Sequence, residues 1–342
     1  MTAPEYPVPD STEPKVRFVE DRLPRLPIFD NHFHLDPHGR GVEAVKEFER
    51  AGGTHLMLVH KPYWREGRAR RFSRTLDEFR EQFDTTMALA EKARAGTGVT
   101  VFVAIAPHPA EFTKMLDAGI PPAEAEAAYR AATELAGEYV RDGRAVALAE
   151  VGRPHWRPVD EDVLARANEL MRHQFEVARD LGCAVQIHAE TATPESFADL
   201  RAWADKAGLS PERVVKHYST PIVDVADNHG LWPSVLVGKG AAETAARAGT
   251  RFLMETDHID EPLVEDAATK KRMSGYAWRH ANPDKTFLVD CTIVGTTGEV
   301  LGPKTVPRRT RELLAQALLT EEQAWTIHAE NPRKVYGIEV DL

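Results

Sequence analysis

Cysteine is scarce in this chain: Cys183 and Cys291 are the only two among 342 residues. Two thiols build neither a disulfide framework nor a zinc-finger spacing, and they fit a reducing compartment, so a cytoplasmic location is expected. Long apolar runs are missing too. The longest, Val99 to Pro107, is about half of what a membrane span needs, so no membrane partner is expected. No basic start followed by an apolar stretch opens the chain, which gives no sign of a signal peptide. No internal repeat is present, and nothing constrains the oligomeric state. Basic residues are outnumbered, 43 Lys plus Arg against 53 Asp plus Glu, for a formal charge of −10. Taken alone, that balance argues against a nucleic-acid partner. What the chain does have is core material. With 42% apolar and 28% charged residues it is no disordered chain, and its length suits two ordinary domains or one α/β barrel.

Residues 1–26 carry Pro4, Pro7, Pro9, Pro14 and Pro24 among charged residues, and read as an N-terminal arm. From Pro27 on, short apolar runs alternate with amphipathic stretches. The runs Ile28–His34, Thr54–His60, Val99–Ala106, Ala145–Val151, Cys183–His188, Arg213–His217, Ser234–Val237 and Arg251–Asp257 read as strands. Helical patterns lie between most of them, among them Gly41–Ala51, Thr75–Arg94, Ala123–Arg141, Asp162–Leu181 and Ala241–Ala248. Alternation of this kind implies parallel strands joined by crossovers, and eight strands are what a closed (β/α)₈ TIM barrel requires. An open doubly wound sheet is the competing architecture. A last helix over Ala324–Val335 is announced by Thr320 and Gln323, a capping-box pair.

In a barrel the reacting groups sit at the C-terminal strand ends. Those ends hold His32 and His34 on the first strand, Glu150 on the fourth, His188 on the fifth, His217 on the sixth and Asp257 on the eighth. Two residues apart on a strand, His32 and His34 leave by the same face and can reach one ion. A single strand-end histidine is commonly just a hydrogen-bonding core residue. Four imidazoles and two carboxylates at separate strand ends are the ligand set of a hydrolytic dinuclear site. By the same period of two, Asp30, Glu190 and Glu255 are candidates to orient those ligands, and Glu255 is an outside candidate for a third metal site. Cys183 opens an apolar strand and reads as core.

The segments Phe29–Asp36 (FDNHFHLD), Ala149–Trp156 (AEVGRPHW), Gln186–Thr191 (QIHAET), Val215–Ser219 (VKHYS) and Met254–Asp260 (METDHID) resemble, in order, the motifs of TatD-related metal-dependent hydrolases, a branch of the amidohydrolase superfamily. Gly302–Arg311 (GPKTVPRRTR), with GRPHW, is most similar to the archaeal-type subgroup, and Glu330–Ile338 (ENPRKVYGI) is similar to the family's C-terminal helix. The resemblance covers about 27–338, taken as one hydrolase domain. It implies that His32, His34 and Asp257 hold one divalent ion, that His188 and His217 hold a second, and that Glu150 bridges them. Many dinuclear amidohydrolases bridge with a carboxylated lysine on strand four. Ala145–Val151 has no lysine, in keeping with a glutamate bridge. Two ions are expected, zinc first, with manganese or magnesium also suited to this donor set. They would activate a water whose proton Asp257 accepts, and their excess positive charge would favour an anionic substrate.

Charge placement reopens the nucleic-acid question. Lys61–Arg74 carries a net +5 with Tyr63 and Trp64 inside it, on the loop after strand two. Cations interleaved with aromatics suit phosphate contact and base stacking. Thr269–His280 adds +4 with Tyr276 and Trp278, and Pro303–Glu312 adds +3. The stretch of about 261–301 is longer than the family's usual link and departs from its pattern, as a lid, a subunit contact or a substrate platform. Arg153 and His155 are the nearest candidates for substrate contact, with Lys61 and Lys216 next. The expected function is phosphodiester hydrolysis at nucleic-acid ends. Hydrolysis of a small ester, lactone, amide or phosphoester is the alternative, and a non-catalytic metal-bound binding module is the remaining one.

Overall fold

A computed structural model describes residues 25–62, 72–238, 240–260 and 301–342, together with the strand backbones at 263–265 and 272–274. Strands β1 (Phe29–His34), β2 (His55–Val59), β3 (Thr100–Ala104), β4 (Ala147–Gly152), β5 (Ala184–His188), β6 (Val214–Ser219), β7 (Trp232–Leu236) and β8 (Leu253–Glu255) run parallel, each paired with the next. A ninth short strand, β9 (His258–Ile259), pairs in parallel with β1. Only Thr256 and Asp257 separate β8 from β9. The eighth staff is therefore one strand broken in the middle, its first half on β7 and its second on β1, which returns the sheet to its start. This is the expected TIM-barrel architecture, and the open sheet is set aside.

The helices are α1 (Val42–Arg50), α2 (Leu76–Gly96), α3 (Pro109–Asp117), α4 (Pro122–Arg141), α5 (Glu161–Leu181), α6 (Pro194–Ala207), α7 (Val225–Asn228), α8 (Ala241–Ala248) and α9 (Thr305–Ala315), followed by α10 (Glu321–Trp325) and α11 (Asn331–Tyr336). Apolar residues on the outer strand faces, such as Leu56, Val101, Leu148, Val185 and Val214, pack against α1, α2, α4, α5 and α6. Inside, each of β1 to β8 contributes to a second cluster: Phe29, Met57, Val59, Ala104, Ala147, Ala149, Ala184, Val215, Trp232 and Leu253. Large side chains on β1, β2 and β7 face alanines on β3 to β5, the size alternation that fills a barrel without voids. Val335, Tyr336, Ile338 and Val340 join that cluster and close it from the C-terminal segment.

The capping box at Thr320 and Gln323 is present, but the expected single helix over Ala324–Val335 is interrupted. A π-helical turn spans Thr326–Glu330 between α10 and α11. It turns His328 inward, where Nδ1 accepts from the Phe29 backbone N–H at 3.1 Å and Nε2 meets Thr310 Oγ1 at 2.8 Å. The strand expected from Ser234 starts earlier, at Trp232, with Pro233 inside it. Of the arm expected over 1–26, only Arg25 and Leu26 are described, and Leu26 packs on the cluster of Ile28, Val235 and Phe252. Within the stretch 261–301, an antiparallel pair joins Leu263–Glu265 to Arg272–Ser274. Tyr63, Trp64, Tyr276 and Trp278, with most of the basic residues around them, lie outside the described residues.

Candidate metal centre

Most of the strands that carry the proposed ligands are irregular, β5 with His188 being the regular one. Register shifts fall between Asp30 and Phe33 on β1, between Leu148 and Val151 on β4, and between Lys216 and Ser219 on β6. On the eighth staff the break holds Asp257 itself, at φ +47°. Such irregularities re-aim side chains off the pleat. Here they turn His32, Glu150, His217 and Asp257 toward one point above the apolar barrel core.

Hydrogen bonds fix which nitrogen each imidazole presents. Gln186 Nε2 donates to Asn31 O (3.0 Å) and to Tyr336 Oη (2.9 Å), so Gln186 Oε1 is left as the acceptor at 2.6 Å from His32 Nδ1. His32 therefore carries its proton on Nδ1 and a lone pair on Nε2. His34 Nδ1 donates to Val59 O at 3.1 Å, with the same result, while His217 Nδ1 donates to Glu255 Oε1 at 3.1 Å and its Nε2 faces Glu150. The bare Nε2 atoms of His32 and His34 then face each other at 3.1 Å in a buried site. Two lone pairs that close repel unless a cation lies between them, so the donor set fits a metal ion. Asp257 Oδ1 stands 3.5 Å from His34 Nε2 and 3.9 Å from His32 Nε2, completing the first group.

Glu150 faces two ways. Its Oε1 is 3.4 Å from His34 Nε2 and 3.7 Å from His32 Nε2. Its Oε2 is 2.6 Å from His188 Nδ1 and 3.4 Å from His217 Nε2. A sequence model of the TatD related DNase family matches residues 29–337 of this chain. The chain belongs to the TatD-related DNase family, and with it to the metal-dependent hydrolases. It is 34% identical to the uncharacterized protein MJ1127 of Methanocaldococcus jannaschii over 328 residues, which are 94% of this chain and 100% of that protein. Among solved structures it is similar to the TatD homolog YJJV from Escherichia coli, with a TM-score of 0.56 at 16% identity over 91% of this chain and 98% of that one. That likeness concerns the fold.

The electrostatics of this TatD-type centre follow from burial and proximity. Burial raises the Glu150 carboxyl, but His188 and His108 outweigh it and hold the group well below the usual carboxylate range. Burial likewise works against Asp257, which His34, His217 and His32 hold down to about 2. Both are carboxylates at neutral pH. His34 is pushed down chiefly by burial. For His217 burial acts downward, yet Glu255 and Glu150 carry it up to about 10.

Around the ligands, Glu255 spends both oxygens: Oε1 accepts from His217 Nδ1 and from the Tyr218 N–H (2.6 Å), Oε2 from Ser234 Oγ–H. It orients His217, as the period of two suggested. Its oxygens also lie near His32 and His217 as a third candidate metal group, but those three donors already occupy them. Asp30 accepts from the Thr256 N–H (3.0 Å) and Oγ1–H (2.7 Å) and so braces the peptide before Asp257 rather than an imidazole. Glu190 pairs with Arg153 instead of a ligand.

The candidate substrate contacts sit as follows. Arg153 is buried, with Nε donating to Glu190 (3.0 Å) and Nη1 to Asn168 (3.2 Å) and facing Asp199 (2.7 Å). Lys61 is buried between Asp36 and the Asp260 carbonyl. Both would reach a substrate only by giving up those partners. Lys216 is buried, donates to His217 O at 2.6 Å, and is drawn down to about 8 by burial against the charges of Glu255, Glu190 and Glu150. His155 is exposed, its ring 4.7 Å from that of His188 and 5.7 Å from that of Trp156. Of the basic run at 303–312, Lys304 pairs with Glu47 and Arg308 and Arg309 with Glu312 on α9, so much of its charge is already met.

One residue of the centre escaped the sequence reading. His108 lies on the turn from β3 to α3, with Nε2 3.6 Å from Glu150 Oε2. It stands two positions past the end assigned to the third strand, and the strand-end criterion that found the others reaches it once that loop is included.

Proposed function

We propose that this chain hydrolyses phosphodiester bonds with a pair of divalent ions, zinc first among them, acting on nucleic-acid ends. The observation that carries the reading is the two-sided placement of Glu150, with one oxygen toward His32 and His34 and the other toward His188 and His217. His32, His34 and Asp257 would hold one ion, His188 and His217 the other, and Glu150 both. When bound, such ions lower the pKa of a water and polarise a phosphoryl oxygen. The protein's own groups do the rest. Asp257, ionised and partly open to the mouth, accepts the proton of the attacking water. Glu255, Gln186 and Val59 O each hold one imidazole by its Nδ1–H and keep Nε2 turned to where the ions would sit. His155 and Trp156 line the open side of His188 and present rings to a base or an aromatic group. Lys216 supplies a buried positive charge on that side, while Arg153 and Lys61 hold the loops from within their ion pairs.

The family's description as DNases supports a nucleic-acid substrate, as do the basic aromatic runs of the sequence. A small ester, lactone or phosphoester hydrolase uses the same centre, and the fold hosts both chemistries. Among the described residues no helix is long and apolar enough to cross a membrane, and the reading places the enzyme in the cytoplasm. The test is paired. Elemental analysis of the purified chain should give about two ions per chain. Single-stranded DNA should be degraded in a reaction that weakens steeply with salt, while a panel of carboxylic esters and lactones is left intact. Turnover of the panel without DNA cleavage would hand the site to the second reading, and a chain that neither binds metal nor needs it would refute both.

A further inference from the structure

By proximity alone, His108, Glu150 and His188 form another group able to hold an ion. The hydrogen bonds of His108 say otherwise. It is the N-cap of α3, and its Nδ1 accepts the Ala110 backbone N–H at 3.0 Å. A ring that accepts at Nδ1 is neutral and carries its proton on Nε2. Nε2 is the atom facing the centre, 3.6 Å from Glu150 Oε2, with the ring 4.6 Å from that of His188. To ligate through Nε2 the ring would have to move its proton to Nδ1, against the Ala110 N–H, and the helix would lose its cap. This is the reverse of His32 and His34, whose Nδ1 atoms donate and whose Nε2 atoms are bare.

Resting on the function proposed above, we infer that His108 is not a metal ligand but a catalytic hydrogen-bond donor. Its Nε2–H points to a non-bridging oxygen of the phosphoryl group held beside Glu150 and His188. A fixed donor aimed at an oxygen that gains charge in the transition state stabilises that state more than the ground state. The capping geometry holds this donor in place, because the bond that sets the tautomer also anchors the ring to α3.

The discriminating variant is His108→Asn. Asparagine is a good N-cap, so its side-chain oxygen can still receive the Ala110 N–H, while nothing replaces Nε2–H. Three readouts are taken on the full chain: metal content by elemental analysis, kcat on bis(4-nitrophenyl) phosphate, and calorimetric titration of the metal-loaded protein with inorganic phosphate. The expectation is unchanged metal content, kcat lower by about 100-fold or more, and phosphate binding weaker by about tenfold. A variant that loses metal overturns the inference, since His108 would then be a ligand. So does a variant with normal kcat and normal phosphate binding. Wild-type chain that takes up its ions but leaves the phosphodiester intact refutes the substrate reading alone. Metal content and phosphate binding of the variant then still decide the role of His108.

Discussion

Gln186 ties the barrel floor to the metal centre, and replacing it tests whether the tautomer argument has energetic weight. Gln186→Met keeps an unbranched side chain of similar length and removes every polar atom. It strands the His32 Nδ1–H and removes one donor from the Asn31 carbonyl. Tyr336 loses only an acceptor role, because its O–H still donates to Asn31 Oδ1 at 2.7 Å. A buried polar group left without its partner costs about 1–3 kcal/mol. With two such groups, offset in part by the apolar atoms introduced, the variant should lose about 2–4 kcal/mol of stability. Metal affinity should fall about 10–100-fold, the usual cost of losing a group that orients a ligand. Gln186→Glu separates the two effects. Its carboxylate still accepts from His32 Nδ1 but sets an oxygen against the Asn31 carbonyl, so metal affinity should survive while stability drops. The assays are urea unfolding of metal-stripped protein and calorimetric titration with Zn²⁺ or Mn²⁺. If Gln186→Met unfolds at the wild-type midpoint and binds metal as tightly as wild type, the relay from Tyr336 to His32 has no energetic consequence and the reasoning fails.

Three further expectations follow from single sites. Gly152 stands at φ +141°, and a Cβ there would lie 2.0 Å from His188 O; Gly152→Ala should push His188 from Glu150, and a metal content equal to wild type would refute it. Buried His328 titrates near 4 rather than 6.5, chiefly because it is buried. The unfolded chain thus binds the proton first, and stability present above pH 6.5 is lost as pH falls toward 4, by about 3 kcal/mol at about 1.4 kcal/mol per unit. In urea titrations across that range His328→Asn should show a correspondingly shallower acid slope, and an identical slope would count against it. Finally, metal that binds only the folded chain should raise its unfolding free energy by about 2.7 kcal/mol at 100 times the dissociation constant, reversibly with chelator; an unmoved urea midpoint would show that the centre binds no ion.

The barrel was legible because its strands are buried on both faces, so that runs such as Leu56–Val59 and Val101–Ile105 stand out between amphipathic helices. The ends were less so. Pro233 reads as a breaker, which hid the start of β7, although a strand can carry proline where its N–H has no partner. The π turn at Thr326–Glu330 follows a helical pattern in sequence, and tertiary bonds from Phe29 and Thr310 to His328 decide it instead. In the site, residue type and strand-end position sufficed to select six residues that converge, but they said nothing about protons. His108 shows the limit. By composition it is one more histidine beside Glu150, and only the Ala110 N–H on its far side shows that it offers a hydrogen and not a lone pair. The charge balance had a similar limit. A formal −10 describes the whole body, whereas the centre gathers His32, His34, His188, His217 and Lys216 around Glu150 and Asp257. The proposed anionic substrate would meet that local arrangement, in which Glu150 and Asp257 are already held by imidazoles.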